Sequence, residues 1–303
     1  MIKVENLVKK FGSLTAVDNI SFNVSEGEIF GFLGPNGAGK TTTIRMLTTL
    51  IAPTSGNILI NDKDAKKNGD YIRSIIGILT ETPGMYEKNT AYDNLKYFAS
   101  FYKIEQSKID ANIEKFLKMF ELWDRRNDLV VTYSKGMKQK LAIARALIHE
   151  PKILFLDEPT AALDPESAYM VRNFIENLRK EKITVFLCTH NLEEAQSLCN
   201  TICIIKKRII RTASLSELQN SKERRIFNLG LLDRAEKYKD IFDKYKDNVE
   251  FSISDCDANL KIKNFQKINP LMIRDLVNNG AEILYFNEQK ESLEDIYLEL
   301  IKE

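Results

Sequence analysis

The chain has 303 residues, 44% hydrophobic and 29% charged, a profile that fills a core and a length that suits two domains better than one. A formal net charge of +1 gives no electrostatic case for a nucleic-acid partner or an anionic membrane surface. The longest apolar runs, Ile153 to Leu156 and Ile202 to Ile205, are strand-length where a bilayer span takes roughly 20 apolar residues, and the opening MIKVENLVKKFG lacks the apolar stretch of a secretory signal.

In chain order, Leu14 to Val24 alternates like a strand and turns at Glu26-Gly27. Glu28 to Leu33 is a short apolar strand that runs into GPNGAGKTT, and Lys40 to Leu50 reads as a helix broken by Pro53 and Gly56. Asn57 to Ile60 and Ile75 to Leu79 read as strands. From Thr90 to Leu122 apolar residues recur at helix spacing, and Lys135 to Ile148 is a further helix ended before Pro151. Strand Lys152 to Leu156, helix Ser167 to Lys180, strand Ile183 to Thr189 and helix Leu192 to Cys199 follow. Strand and helix alternating around a glycine loop predict an α/β fold, a mostly parallel sheet covered on both faces.

After about Ser214 the character changes. Helices at Asp233 to Tyr245 and Pro270 to Val277, strands at Val249 to Ile253, Leu260 to Ile262 and Ala281 to Phe286, and a last helix at Ser292 to Ile301 suggest a small α+β domain of ferredoxin-like order. The four cysteines, Cys188, Cys199, Cys203 and Cys256, form no C-x-x-C pair. With only His149 and His190 to add, they read as free thiols, not a zinc site.

The strongest chemical signal is Gly34-Pro35-Asn36-Gly37-Ala38-Gly39-Lys40-Thr41, followed by Thr42: G-x-x-x-x-G-K-[ST] between an apolar strand and a helix. Its amides would wrap phosphates, Lys40 would reach the β- and γ-phosphates, and the Thr41 hydroxyl would bind Mg²⁺. The alternative is a glycine-rich turn before a helix. Strand Ile153 to Leu156 ends in Asp157 and Glu158, carboxylates on opposite faces. Asp157 suits Mg²⁺, and Glu158 suits a base that orients or deprotonates water; a solvated acidic strand end is the bland reading. Tyr133-Ser134-Lys135-Gly136-Met137-Lys138-Gln139 opens a helix with a hydroxyl and a glycine. That is either a second anion-binding helix N-terminus or a plain N-cap.

Taken in order, these motifs resemble the ABC transporter ATPases over roughly residues 1 to 212. They match Walker A, the ABC signature (YSKGM) and Walker B. Ala162-Leu163-Asp164 resembles the D-loop and His190 the switch histidine. Phe11 falls where the family stacks an aromatic on adenine; alone, it could equally be a packed aromatic. The resemblance implies a P-loop NTPase with a RecA-like core, an antiparallel β subdomain and a helical subdomain at about residues 82–150, all within 1–213, and an accessory domain at 214–303. It implies ATP and Mg²⁺ as cofactors, and Ser134 and Gly136 acting in trans in a homodimer or a heterodimer with a related ATPase. It also implies a separate transmembrane permease subunit that holds the chain peripherally at the cytoplasmic face. Glu81 stands where the family has its Q-loop glutamine and is read as a further Mg²⁺ ligand. This departure, the Lys135 and Met137 of the signature, and Glu291-Ser292-Leu293-Glu294-Asp295-Ile296-Tyr297 resemble the drug, bacteriocin or sodium export subgroup. A non-transport ABC ATPase and a nucleotide-gated regulatory subunit are the alternatives. Lys206-Lys207-Arg208 reads as a solvated hairpin turn. The accessory domain reads as a dimer clasp, a regulator or a permease contact.

Overall fold

Strand and helix alternate through most of the computed structural model, which describes residues 1–80, 84–161, 163–220, 224–289 and 292–302. The chain packs as two units, Met1–Leu215 and Ser216–Lys302. In the first, β1 (Ile2–Phe11), β2 (Leu14–Val24) and β3 (Ile29–Leu33) lead to α1 (Lys40–Leu47), then β4 (Ser55–Ile60), β5 (Lys63–Asp64), α2 (Gly69–Ile75) and β6 (Ile76–Leu79). Helices α3 (Ala91–Ala99), α4 (Gln106–Met119) and α5 (Lys135–Leu147) pack on one another. Then come β7 (Ile153–Asp157), α6 (Pro165–Lys180), β8 (Thr184–Thr189), α7 (Leu192–Leu198), β9 (Thr201–Lys206) and β10 (Arg208–Ser214).

Sheet order is β10-β9-β3-β8-β7-β6, parallel except for β10. A second sheet, β2-β1-β4-β5, is antiparallel. Alternation along β3 shows how the layers meet. Phe30 and Phe32 point to one face and stack with Phe22 of β2 and Phe186 of β8, ring centroids 5.2 to 5.9 Å apart. Gly31 points to the other, where a Cβ would come within 2.7 Å of the Cys199 Sγ at the end of α7. Both faces of the parallel sheet are therefore covered, as strands buried along their whole length such as Ile29–Leu33 and Ile153–Asp157 require.

Register positions the chemistry. Leu33 pairs with Thr189 and Cys188 with Asp157, so the ends of β3, β8 and β7 finish together at one sheet edge. In open parallel sheets the carboxyl ends of the strands are where ligands bind.

Helix α8 (Leu215–Asn220) leads into the second unit, with β11 (Arg224–Leu231), α9 (Lys239–Lys244), β12 (Val249–Ser254), β13 (Asp257–Lys263), α10 (Phe265–Asn278), β14 (Ile283–Gln289) and α11 (Leu293–Lys302). Its antiparallel sheet has the order β12-β13-β11-β14, which is the split β-α-β topology of ferredoxin-like folds. Phe227, Leu229, Leu260 and Ile262 of the sheet meet Phe242 of α9 and Met272 and Leu276 of α10 in a core of their own.

Three expectations change. The helical stretch Thr90 to Leu122 is two helices, because residues 100–105 leave the helix between Ala99 and Gln106. A short helix, α2, precedes β6, which begins at Ile76. Helix α10 begins at Phe265, before Pro270, a residue whose fixed φ marks it as a helix opener but which this helix carries inside.

Candidate functional site

Beyond Leu33 the chain makes the glycine loop and enters α1 at Lys40. Gly37 and Gly39 take φ of +78° and +101°, a region that side chains avoid. A Cβ on Gly39 would also lie 2.6 Å from the Ala16 carbonyl, so the loop is seated against β2. Lys40, 7% exposed, donates from Nζ to the Gly34 carbonyl at 2.6 Å and lies 4.0 Å from Glu158 Oε1. The result is an anion cradle: left-handed glycines, a helix N-terminus and one sequestered ammonium.

Asp157, Glu158 and His190 face the cradle from the ends of β7 and β8. Thr41 Oγ1 donates to Asp157 Oδ2 at 2.9 Å, a pair of hard oxygen donors that fits a small divalent cation. His190 Nδ1 lies 2.8 Å from Glu158 Oε1, and the Thr189 hydroxyl donates to Glu158 Oε2 at 3.4 Å. Glu158 holds φ +53°, a costly conformation for a residue with a side chain, and its amide donates to the Cys188 carbonyl at 2.9 Å. Burial pushes the Cys188 thiol up, so it stays protonated beneath the site.

Gly37, Gly39, Lys40, Thr41, Asp157, Glu158 and His190 line one cavity of about 400 Å³. Phe11, Asn36, Ala38 and Thr42 complete its wall. Phe11 is 50% exposed, with the Lys9 ammonium 4.9 Å from its ring centroid, so it is an open aromatic face and not core packing. Lys207 lines the cavity too. It sits at the turn between β9 and β10, as a hairpin reading of Lys206 to Arg208 requires, but the turn is docked on the site. The Lys207 amide donates to the Ala38 carbonyl at 2.9 Å, and its carbonyl accepts from the Asp18 amide at 2.8 Å.

Ser134, Gly136 and Asp164 do not line that cavity. Ser134 is exposed and caps α5 by accepting from the Met137 amide at 3.2 Å. Asp164 caps α6, accepting from the Ser167 amide at 2.9 Å, and that contact holds its carboxyl below the usual range. A Cβ on Gly136 would meet Ser167 Oγ at 3.0 Å and Asp164 Oδ2 at 3.6 Å, so the two helix starts adjoin. Glu81, Ala162 and Glu291 lie outside the described residues. Sequence patterns did not point to Lys207, which lines the cavity, to Thr189, which donates to Glu158, or to the buried Glu194, which accepts from Thr160.

Among the described residues no helix is long and apolar enough to cross a membrane. Residues 17–161 match the protein family described as ABC transporter. The bacitracin transport ATP-binding protein BcrA of Bacillus licheniformis is 36% identical over 99% of this chain and 97% of that protein. The fluoroquinolones export ATP-binding protein of Mycobacterium tuberculosis is 38% identical over 74% of each chain. Among solved structures, a dimeric post-hydrolysis state of the ATP-binding cassette MJ0796, bound to ADP and Pi, is 28% identical with a TM-score of 0.65 over 71% of this chain and 99% of that one. With the glycine cradle, the carboxylate pair and His190 converging on one cavity, and with identity running the length of a known relative, the chain belongs to the ATP-binding, ATP-hydrolysing subunits of ABC transporters.

Proposed function

We propose that this chain works as a homodimer that couples ATP hydrolysis to export through a separate transmembrane permease, the ATPase in residues 1–213 and an accessory domain in 214–303. The observation that carries the reading is the separation of the two anion-binding helix starts. One, at Lys40, lines the cavity; the other, at Ser134, is exposed and off it. A second copy placed head-to-tail supplies its Ser134 and Gly136 to the open side of the first copy's nucleotide, and receives the same in return.

In this reading the loop amides and Lys40 hold the phosphates, and Phe11 stacks on adenine. Thr41 and Asp157, with Glu81 as a further oxygen donor, would hold Mg²⁺, which when bound would supply positive charge against the phosphates. Glu158 orients and deprotonates the attacking water, and His190 holds Glu158 while facing the γ-phosphate. Asp164 sits at the junction where the partner's loop would arrive. Hydrolysis removes the contact that favoured closure, and the dimer reopens.

Export is supported by the relatives, named for bacitracin transport and fluoroquinolone export. A permease contact is supported by an exposed aromatic group in the helical part: Tyr86, Tyr97 and Phe101, 48%, 43% and 66% exposed, stacked edge to edge. Such a patch marks a protein interface. The chain would then sit at the cytoplasmic face through that partner.

The test is Ser134→Arg. It should bind ATP as the native chain does and fail to dimerise with ATP, read by sedimentation. An ATP-driven dimer of this variant would remove the composite site.

A further inference from the structure

Glu158 is assigned its chemistry in a left-handed backbone conformation, φ +53°, that persists only where the surroundings fix it. The residues after it are held from two helices. From α5, Gln139 Nε2 donates to the Pro159 carbonyl at 2.8 Å. From α7, Glu194 Oε1 accepts from the Thr160 hydroxyl at 2.8 Å. The Ala161 amide closes the turn by donating to the Glu158 carbonyl at 3.2 Å.

Glu194 is 1% exposed and no step assigned above uses it. Its amide is capped by Asn191 Oδ1 at 3.0 Å, on the segment that follows His190. Its second oxygen, Oε2, is buried without a hydrogen-bond partner among the described residues. Burial pushes the carboxyl up, while the nearby Thr189 and Thr160 hydroxyls pull the other way. A buried, half-satisfied carboxyl destabilises a fold, and an apolar residue of the same size would not. Its contact with Thr160 is the compensating gain the geometry offers.

We infer that Glu194 is a positioning residue for hydrolysis: through Thr160 it fixes the turn that aims Glu158, and it ties that turn to the helix that follows His190. The inference rests on Glu158 being the base. It separates aim from nucleotide binding, because neither Glu194 nor Thr160 lines the cavity.

The experiment measures ATPase kcat and KM, and the Kd of a fluorescent ADP analogue, for Glu194→Leu, Glu194→Gln, Thr160→Val and Thr160→Ser in the full chain. Loss of the hydrogen bond should lower kcat about 10- to 100-fold in the Leu and Val variants, the scale of a small misplacement of a catalytic group. KM and Kd should stay within about twofold, and the Leu/Val double variant should be no worse than the poorer single one, since both remove one contact. Glu194→Gln and Thr160→Ser keep the acceptor and the hydroxyl, and should keep most of the native kcat. Unchanged kcat in Thr160→Val, or equal loss in the Gln and Leu variants, overturns the inference. Should Glu194→Leu fail to fold, the Thr160 pair decides alone. Glu158→Gln runs alongside: undiminished turnover there would sink the assignment of the base itself, whatever the Glu194 series does.

Discussion

Gly39 combines two constraints that no other residue type meets. Its φ of +101° disfavours any side chain, and a Cβ would lie 2.6 Å from the Ala16 carbonyl of β2. Gly39→Ala must therefore move the loop or β2. It is expected to destabilise the chain by about 1–3 kcal/mol and to weaken ATP binding at least tenfold, measured by urea unfolding and by equilibrium titration. Native-like affinity in this variant would mean that the loop geometry does not set phosphate binding. The glycine loop and the Asp157-Glu158 pair were legible because their signal is local: spacing, and the strand-to-helix context. Lys207 was not, because its approach depends on backbone bonds to Ala38 and Asp18, residues far away in the chain. Glu194 was not, because a glutamate in the first turn of a helix reads as an ordinary dipole partner until the fold buries it.

The elements follow from patterns that a reader of the sequence could mostly see. Short apolar runs predicted the strands β3 and β7, while α6 begins at Pro165, two residues before the Ser167 read from the sequence, with Asp164 as its cap. The break between α3 and α4 escaped because apolar spacing continues across it. At the heart of the first unit, Phe186 touches Phe22, Phe30, Phe32 and Phe155 and is fully buried. It joins the antiparallel sheet to the parallel one from within β8, the strand that ends in Thr189. Phe186→Ala is expected to cost about 3–5 kcal/mol in urea unfolding, more than any single exposed ion pair on the surface. A loss under ~1 kcal/mol would mean that the two sheets are not held by this aromatic cluster.

For the whole molecule, acid stability reports on a residue remote from the chemistry. His149 stacks on Tyr102 with ring centroids 3.7 Å apart, and its Nε2–H donates to the Ile76 carbonyl at 2.9 Å. Burial lowers its pKa to about 4 from an ordinary 6.5. Between those values the unfolded chain binds the proton and the folded chain does not. Stability therefore falls as pH drops from about 6.5 towards about 4, by up to about 3 kcal/mol from this group at ~1.4 kcal/mol per unit. His149→Gln should flatten that limb of a urea-midpoint-against-pH curve; an unchanged slope would clear His149 of the effect.

The proposed nucleotide sandwich requires two copies of the chain. Glu158→Gln keeps the cradle, Thr41 and Asp157 while removing the carboxylate proposed as the base, so it should hold ATP without the hydrolysis that reopens the dimer. Sedimentation of this variant with Mg²⁺ and ATP is the most direct measurement. A dimer with ATP and a monomer with ADP are expected; an ATP-saturated variant that stays monomeric at high protein concentration contradicts the shared nucleotide site.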